Sequence, residues 1–187
     1  MNKKQIKSLI SRFNRLHKQK YPMVVIIIIM VLSLLMSRDF LRILFPIAPD
    51  ECEVLKIHDG DTMTLQCSGK AEKTKVRLHC IDTPEMKQKP WGTQARDHLR
   101  SITANTVKLV AVDKDSYGRI VGEVHSGEIN LNLAQVKAGK AAVYRTYCKK
   151  SEYKVAEKEA IAAKLGIWSE PGLHQTPWEW RKQEREG

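Results

Sequence analysis

The sequence predicts a small domain of mainly β structure with added helices, preceded by a membrane-anchor helix. In residues 50–187, short stretches of strand-forming residues alternate with turn residues, and short helical stretches interrupt or follow them. Five strands interrupted by short helices are typical of a small, partly open barrel with helices packed around it. An apolar run near the N-terminus predicts the anchor.

Length and charge limit the range of functions. The chain has 187 residues, which suits one globular domain with an appendage. Its net charge of +11 is unevenly placed: residues 1–49 hold nine Lys or Arg and one Asp, whereas residues 50–187 hold 23 Lys or Arg and 20 Asp or Glu. The basic character therefore belongs mostly to the N-terminus and does not by itself indicate nucleic-acid binding.

The N-terminal segment predicts a signal anchor. Residues 1–22 carry seven Lys or Arg and no acid, and the apolar run 23–36 is interrupted only by Ser33. Its fourteen residues span about 21 Å as a helix, so a membrane span of about 30 Å needs a continuation to residue 44. A cleaved secretory signal is the alternative, but no A-x-A site follows. A buried core helix is disfavoured because the β-branched run 25–29 has no polar face.

The charge asymmetry also predicts the orientation of the chain. The basic segment 1–22 favours a cytoplasmic N-terminus and a domain, residues 50–169, on the outer face of the membrane. Signal cleavage would instead release that domain by secretion.

The cysteines agree with an extracytoplasmic domain. All four follow the apolar run, at Cys52, Cys67, Cys80 and Cys148, and none forms a C-x-x-C pair. That spacing disfavours a zinc ribbon or a thioredoxin site. In an oxidising compartment four thiols form two disulfides, with three possible connectivities.

The first two strands are predicted from a hairpin. Residues 54–57 and 62–65 flank His58-Asp59-Gly60-Asp61, and Asp-Gly is a strong signal for a two-residue turn. With the turn at Asp59-Gly60, opposed residues have numbers that add to 119, which pairs Cys52 with Cys67. This register predicts a Cys52–Cys67 disulfide, leaves Cys80 with Cys148, and makes the first pair hydrogen-bonded, with a Cα separation of about 5.5 Å.

The remaining elements follow in order from local patterns. A third strand is predicted at 74–81, a helix at 91–103, strands at 107–112 and 120–125, and helices at 130–137 and 151–165. Ser151 is the predicted N-cap of the last helix, and Gly166 its stop. Residues 170–187 are predicted to be an irregular tail because Pro171, Gly172 and Pro177 interrupt regular structure. Trp178 and Trp180 are expected to pack on the domain surface.

Four segments stand out together, although each alone has an ordinary structural explanation as a turn, a strand edge or a helix start. They are Asp59-Gly60-Asp61-Thr62, Arg77-Leu78-His79-Cys80-Ile81-Asp82-Thr83-Pro84-Glu85, Asp115-Ser116-Tyr117-Gly118-Arg119 and Leu165-Gly166-Ile167-Trp168-Ser169. In this order they resemble the staphylococcal-nuclease-like (thermonuclease) family over residues 53–169. The resemblance implies a five-stranded OB-fold barrel capped by three helices, and a calcium-dependent phosphodiesterase acting on DNA and RNA.

The family pattern also assigns roles to positions of this sequence. It implies three metal ligands: the carboxylates of Asp61 and Asp82 and the backbone carbonyl of Thr83. It implies three catalytic residues: Arg77, Glu85 and Arg119. Tyr117 would lie against the substrate phosphate, and a second tyrosine near the site has two candidates, Tyr144 and Tyr147, of which we prefer Tyr144.

These residue types suit the implied chemistry. Carboxylate and carbonyl oxygens favour calcium over zinc, and no H-x-x-x-H pair is present to indicate a zinc hydrolase. Guanidinium groups can hold phosphate oxygens bidentately as charge develops in the transition state. A glutamate can orient or deprotonate the attacking water.

Two other functions compete with a nuclease. One is a membrane-anchored OB-fold module that binds nucleic acid without cutting it, and the other is an adaptor whose basic N-terminal segment binds anionic lipid. The acid and arginine set favours catalysis, because a binding module has no need of it. No protein partner is evident, and the expected catalytic domain is monomeric.

Overall fold

The computed structural model describes Met23, residues 27–33 and residues 50–187. The chain divides into two compact units, Met1–Ile47 and Ala48–Gly187. In the first unit, residues 27–33 are helical and exposed. The greater part of the predicted anchor over 23–44, and all of the basic segment 1–22, lies outside the described residues. Within the described ranges, no helix has both the length and the apolar character to cross a membrane.

The second unit contains a closed β-barrel. Its strands are, in chain order, β1 (Asp50–Ile57), β2 (Thr62–Cys67), β3 (Thr74–Leu78), β4 (Ile81–Asp82), β5 (Thr106–Lys114), β6 (Ile120–Ser126), β7 (Ile129–Asn130) and β8 (Ala142–Val143). Five of them run in the order β3-β2-β1-β5-β6, and parallel pairing of β3 with β6 closes the ring. The predicted five-stranded barrel is confirmed, and its topology is that of an OB-fold.

Apolar side chains fill the interior of the barrel. They come from alternate positions of the strands, as expected for strands with one face buried. Those with no more than 1% exposure include Met63, Leu65, Val76, Leu109 and Val124. The barrel therefore has a packed apolar core.

The β1–β2 hairpin has the predicted cysteine register, but its loop length and hydrogen bonds differ from the prediction. The loop has three residues, 59–61, because the His58 N–H donates to the Thr62 carbonyl at 2.9 Å. A bulge at Leu55 then restores the register, so Cys52 lies opposite Cys67. The Ser68 N–H donates to the Glu51 carbonyl, which makes the neighbouring cysteines a non-hydrogen-bonded pair with a Cα separation of 3.9 Å. The expectation of a hydrogen-bonded pair was therefore wrong.

The third strand ends earlier than its apolar pattern predicts. β3 stops at Leu78 because Cys80 turns the chain with a φ of 71°. The chain continues as β4, which pairs with β8. The second disulfide, Cys80–Cys148, links this turn to the segment that precedes the helix Ser151–Ala162. The two disulfides are the pairs that the hairpin register predicts.

Three helices pack around the barrel, as predicted. They are α1 (Trp91–Ile102), α2 (Leu131–Lys137) and α3 (Ser151–Ala162). The Asn130 side chain caps α2 by accepting a hydrogen bond from the Leu133 N–H at 3.0 Å. α3 differs from the prediction at both ends: its N-cap is Lys150, and it ends at Ala162 because Lys164 takes a left-handed φ of 51°.

The C-terminal segment is ordered, contrary to the predicted irregular tail. Two short 3₁₀ turns, at Gly166–Trp168 and Leu173–Gln175, lead into a fourth helix, α4 (Pro177–Glu186). Pro177 does not interrupt this helix, because it occupies the first helical position, where a missing N–H costs nothing. The Trp178 ring stacks on the Tyr144 ring with centroids 5.6 Å apart. The expectation that Trp178 packs on the domain surface was correct.

Candidate active site

The site lies where the β1–β2 loop meets β3 and β4. Thr62 of β2 is paired with Arg77 of β3, and the Leu78 N–H donates to the Asp61 carbonyl at 2.8 Å. This register brings the Asp61 carboxylate beside the Arg77 guanidinium, and the short β4 presents Asp82 to the same group. Residues from three separate segments of the sequence therefore converge at one end of the barrel.

Arg77 bridges the two aspartates. Its Nη1 lies 3.0 Å from Asp61 Oδ2, and its Nη2 donates to Asp82 Oδ1 at 2.7 Å. Nη1 also donates to the carbonyls of Leu78 and Ile81. One planar guanidinium thus fixes the spacing of both carboxylates, which a lysine ammonium lacks the shape to do.

Thr83 connects the loop to β4. Its backbone N–H and its hydroxyl both donate to Asp61 Oδ2, each at 2.9 Å. The other Asp61 oxygen accepts a hydrogen bond from the Thr62 hydroxyl. The Asp61 carboxylate is almost completely buried, and these donors compensate its desolvation.

Helices α1 and α2 support the 59–61 loop. The fully buried Gln135 side chain of α2 donates to the Gly60 carbonyl at 2.6 Å and to the Ala95 carbonyl at 2.9 Å. A side chain on Gly60 would come within 2.6 Å of the Ala95 Cβ. Asp59 Oδ1 accepts a hydrogen bond from the Asp61 N–H, which closes the loop as an Asx turn.

Two carboxylates next to Asp61 have a raised pKa. Burial, together with the charge of Asp61, raises the pKa of Asp59 to about 7. The same two causes raise the pKa of Asp82, although Arg181 and Arg77 oppose the rise. Closely spaced, desolvated carboxylates of this kind favour the presence of a cation.

Glu85 begins the turn that leads to α1. Its backbone N–H donates to the Gln88 side chain at 2.9 Å, and its carbonyl accepts from the Gln88 N–H. A Cβ on Gly92 would collide with the Glu85 carbonyl oxygen, so glycine permits α1 to approach this turn. The turn and the start of α1 together position the Glu85 side chain at the edge of the site.

Arg119 is held by the β5–β6 turn. Asp115 Oδ2 accepts from Arg119 Nε at 2.7 Å, and Oδ1 accepts from the Arg119 N–H at 2.9 Å. Burial opposes the effect of these bonds, but they hold the pKa of Asp115 below its ordinary value. Over residues 50–187, neither terminal nitrogen of Arg119 has a hydrogen-bond partner. The Tyr117 ring is 83% exposed, and the Arg119 Cζ lies 5.5 Å from its centroid.

The three predicted catalytic residues line one open cavity of about 420 Å³. Its lining is mostly basic and consists of Asp59, Thr62, Lys75, Arg77, Glu85, Tyr117, Arg119, Arg181 and Arg185. Tyr144 lies outside this cavity. Tyr144 and Tyr147 both line a neighbouring cavity of about 560 Å³, together with Arg77, Tyr117 and Arg119.

A family model described as "Staphylococcal nuclease homologue" matches residues 75–170, which carry the β3–β4 and β5–β6 parts of this site. The chain belongs to the staphylococcal nuclease homologue family. Two bacterial relatives match over most of their length: an uncharacterized endonuclease of Escherichia coli, 38% identical over 68% of this chain and 82% of that protein, and a micrococcal nuclease of Shigella flexneri, 36% identical over 70% and 79%.

Plant relatives in the same family are longer. The probable staphylococcal-like nuclease CAN3 of Oryza sativa subsp. japonica is 35% identical over 116 residues, which are 62% of this chain and 30% of that protein. The chain therefore spans about a third of the plant relatives' length, and the similarity concerns the nuclease-like domain.

Two residues that contact the predicted site residues are missing from the family-based prediction. Asp59 belongs to the Asp-Gly-Asp segment, whose pattern indicates only a turn residue at this position. Arg181 donates to Asp82 Oδ2 at 2.7 Å and to Glu85 Oε1 at 2.9 Å, from a segment predicted to be irregular. The signal that would have revealed α4 is Pro177, which is favoured at the first position of a helix.

Proposed function

We propose that the chain is a calcium-dependent phosphodiesterase that hydrolyses DNA and, as a second substrate, RNA. The observation that carries the proposal is that Arg77, Glu85 and Arg119 line one cavity, and that Arg77 also holds the carboxylates of Asp61 and Asp82. The nuclease names of the bacterial relatives support the same activity.

The donor set suits a hard cation. In residues 50–187, no three His, Cys, Asp or Glu side chains are close enough to hold a metal ion. In this proposal Asp61 and Asp82 would hold calcium together with the Thr83 carbonyl and water, which is an oxygen set that calcium accepts. When bound, the cation would supply positive charge to the scissile phosphate.

The protein's own groups have separate tasks in this proposal. Arg119 is held by Asp115 through Nε, so its two terminal nitrogens can donate to phosphate oxygens as charge develops in the transition state. Arg77 holds the two aspartates and faces the same cavity. Glu85 accepts the proton of the water that attacks phosphorus; the ester P–O bond breaks, and the leaving oxygen takes a proton from solvent water. Tyr117 is exposed, with its ring against Arg119, and its hydroxyl would donate to the substrate phosphate.

The test uses purified full-length chain with plasmid and single-stranded DNA, first with calcium and then with a chelator. We expect degradation that requires calcium, and a rate lowered by about 10²–10³ in Glu85→Gln and in Arg119→Ala. Lys158→Ala is the matched control, because Lys158 is exposed on α3 and does not line the cavity. DNA that is bound but stays intact would instead favour the non-catalytic OB-fold module.

We further propose that residues 23–44 anchor the chain in a membrane, with the domain on the outer face. The two disulfides support an oxidising compartment, and the basic residues before the apolar run support a cytoplasmic N-terminus. In intact cells, external protease should digest the domain and leave a membrane-bound N-terminal fragment. A domain that is protected from protease would contradict this orientation, and a domain found free in the medium would favour signal cleavage.

A further inference from the structure

The C-terminal helix α4 places the positively charged side chain of Arg181 at the proposed calcium site. Arg181 Nη1 donates to Asp82 Oδ1 at 3.1 Å and to Glu85 Oε1 at 2.9 Å, and Nη2 donates to Asp82 Oδ2 at 2.7 Å. Asp82 is completely buried. One guanidinium therefore occupies both oxygens of a proposed metal ligand and one oxygen of the proposed general base.

These contacts leave few free lone pairs on the Asp82 carboxylate for another cation. A carboxylate has about four lone-pair positions. Arg77 takes one of those of Asp82, and Arg181 takes two. A calcium ion bound to Asp82 would meet the positive charge of Arg181 at the same oxygens, where burial weakens screening of the repulsion. Calcium and Arg181 are thus competitors for this carboxylate.

The contrast with Arg119 argues against a role for Arg181 in binding phosphate. Arg119 is held by Asp115 through Nε alone and presents both terminal nitrogens. Both terminal nitrogens of Arg181 are bonded to carboxylates. In this arrangement Arg181 blocks acidic groups that the reaction needs, and unlike Arg119 it does not present two free terminal nitrogens to an incoming phosphate.

The way α4 is attached would allow Arg181 to withdraw. The start of the helix is fixed, because Pro177 is buried and Trp178 stacks on Tyr144. Beyond Arg181 every residue is exposed, and a cavity of about 430 Å³ lies between the helix and the segment 85–87. The contact there is an ion pair between two largely exposed groups, Lys87 and Glu184, at 3.6 Å. Pairs of this kind contribute little, so the Arg181 contacts are the main polar contacts that hold the outer half of α4.

We propose that α4 is an autoinhibitory latch, in which Arg181 holds Asp82 and Glu85 until calcium displaces it. This inference rests on the proposed calcium-dependent function. It predicts that wild-type protein binds calcium more weakly than the carboxylate set would allow, and that binding releases the outer half of α4.

The test is calcium binding to the full-length chain by isothermal titration calorimetry, without nucleic acid. In Arg181→Met, which keeps an apolar stem but removes the charge, we expect the calcium Kd to fall about tenfold, which is about 1.4 kcal/mol. Lys182→Met is the matched control, because Lys182 is the next residue of the helix and its ion pair is with Glu186 of the same helix. Its Kd should equal that of wild type.

The possible outcomes separate the latch from the proposed function. Wild-type binding with an unchanged or weaker Kd in Arg181→Met would overturn the latch alone. No calcium binding by either protein would overturn the proposed function as well. At saturating calcium, Arg181→Met should cleave DNA within twofold of the wild-type rate. A loss of tenfold or more there would make Arg181 a participant in the reaction and would overturn the latch.

A measurement on the wild-type protein avoids any effect of mutation on folding. Amide hydrogen exchange over residues 180–187 should become faster when calcium is added, while exchange in α1 does not. Unchanged or slower exchange in the outer half of α4 would overturn the proposal.

Discussion

Thr83 donates twice to one oxygen of Asp61. The backbone N–H and the hydroxyl each lie 2.9 Å from Asp61 Oδ2, although the two residues are 22 positions apart in the sequence. The pair joins the β1–β2 loop to the end of β4, and Arg77 joins the same loop to Asp82. The geometry of the site therefore depends on contacts across the end of the barrel as well as on strand pairing.

Replacing Thr83 with valine, whose side chain has nearly the same shape, should destabilise the protein. The substitution removes one donor to a buried carboxylate, and a hydrogen bond to a charged group contributes about 1.5–3 kcal/mol. We expect a loss of that size in urea unfolding monitored with a chelator present. Thr83→Ser keeps the hydroxyl and should recover most of the loss; a Thr83→Val variant as stable as wild type would show that the hydroxyl bond to Asp61 contributes nothing.

Adding a methyl group at Gly60 should disturb the 59–61 loop of the site. Its Cβ would lie 2.6 Å from the Ala95 Cβ and 2.8 Å from the Thr83 Cγ2, and neither atom is the end of a flexible side chain. Overpacking of this kind costs about 1–3 kcal/mol. We expect Gly60→Ala to lower the free energy of unfolding by that amount. Combining it with Ala95→Gly should restore part of the loss, and a double variant no more stable than Gly60→Ala would argue against this clash.

The two disulfides should differ in their contribution to stability. Cys80–Cys148 closes a segment of 68 residues and Cys52–Cys67 one of 15. Loop-closure entropy gives about 4 kcal/mol for the first and about 3 kcal/mol for the second. The double serine variant at Cys80 and Cys148 should therefore have the lower urea midpoint. A lower midpoint for the variant at Cys52 and Cys67 would contradict the entropic argument.

Tyr153 should make the protein sensitive to alkaline pH. Burial, reinforced by the nearby Glu123 charge, raises the pKa of Tyr153 above its ordinary value of 10.0. The folded protein therefore keeps this proton when the unfolded chain has lost it. The associated stability is complete below pH 10 and falls above it, by up to about 1.4 kcal/mol for each pH unit.

The Tyr153→Phe variant isolates that effect. Its Glu123 neighbour keeps the Lys150 ammonium as a partner at 2.7 Å, so the variant should fold at neutral pH. Urea unfolding at pH 8, 10 and 11 should show a shallower loss of stability in Tyr153→Phe than in wild type, since all other tyrosines and lysines are common to both. Parallel pH curves would contradict the assignment.

In the β1–β2 hairpin, the cysteine pairing was predicted correctly although the loop was not. Counting from Asp59-Gly60 pairs Cys52 with Cys67, and the structure has that pair. The loop is in fact one residue longer, because the Asp59 carboxylate accepts from the Asp61 N–H, and the bulge at Leu55 compensates for it. Neither deviation is encoded in the alternation of apolar residues, so the pairing was predictable but its hydrogen-bonding class was not.

Local patterns also limited the prediction of the site. Short motifs whose order resembles the family contain Asp61, Arg77, Asp82, Glu85 and Arg119, so the sequence alone identifies these residues as candidates. Arg181 has no such motif. It reaches Asp82 because Trp178 packs on Tyr144 and fixes the start of α4, and these are contacts between residues far apart in the chain.

The sequence by itself determined the barrel, the helices α1 to α3, the disulfide partners and the residue types available for chemistry, because apolar periodicity, turn residues and motif order are local properties. Only the tertiary structure decided which charges share an oxygen atom. Arg77 between two aspartates, and Arg181 on Asp82 and Glu85, follow from strand register and helix packing, where distant segments must bury charge together and satisfy it.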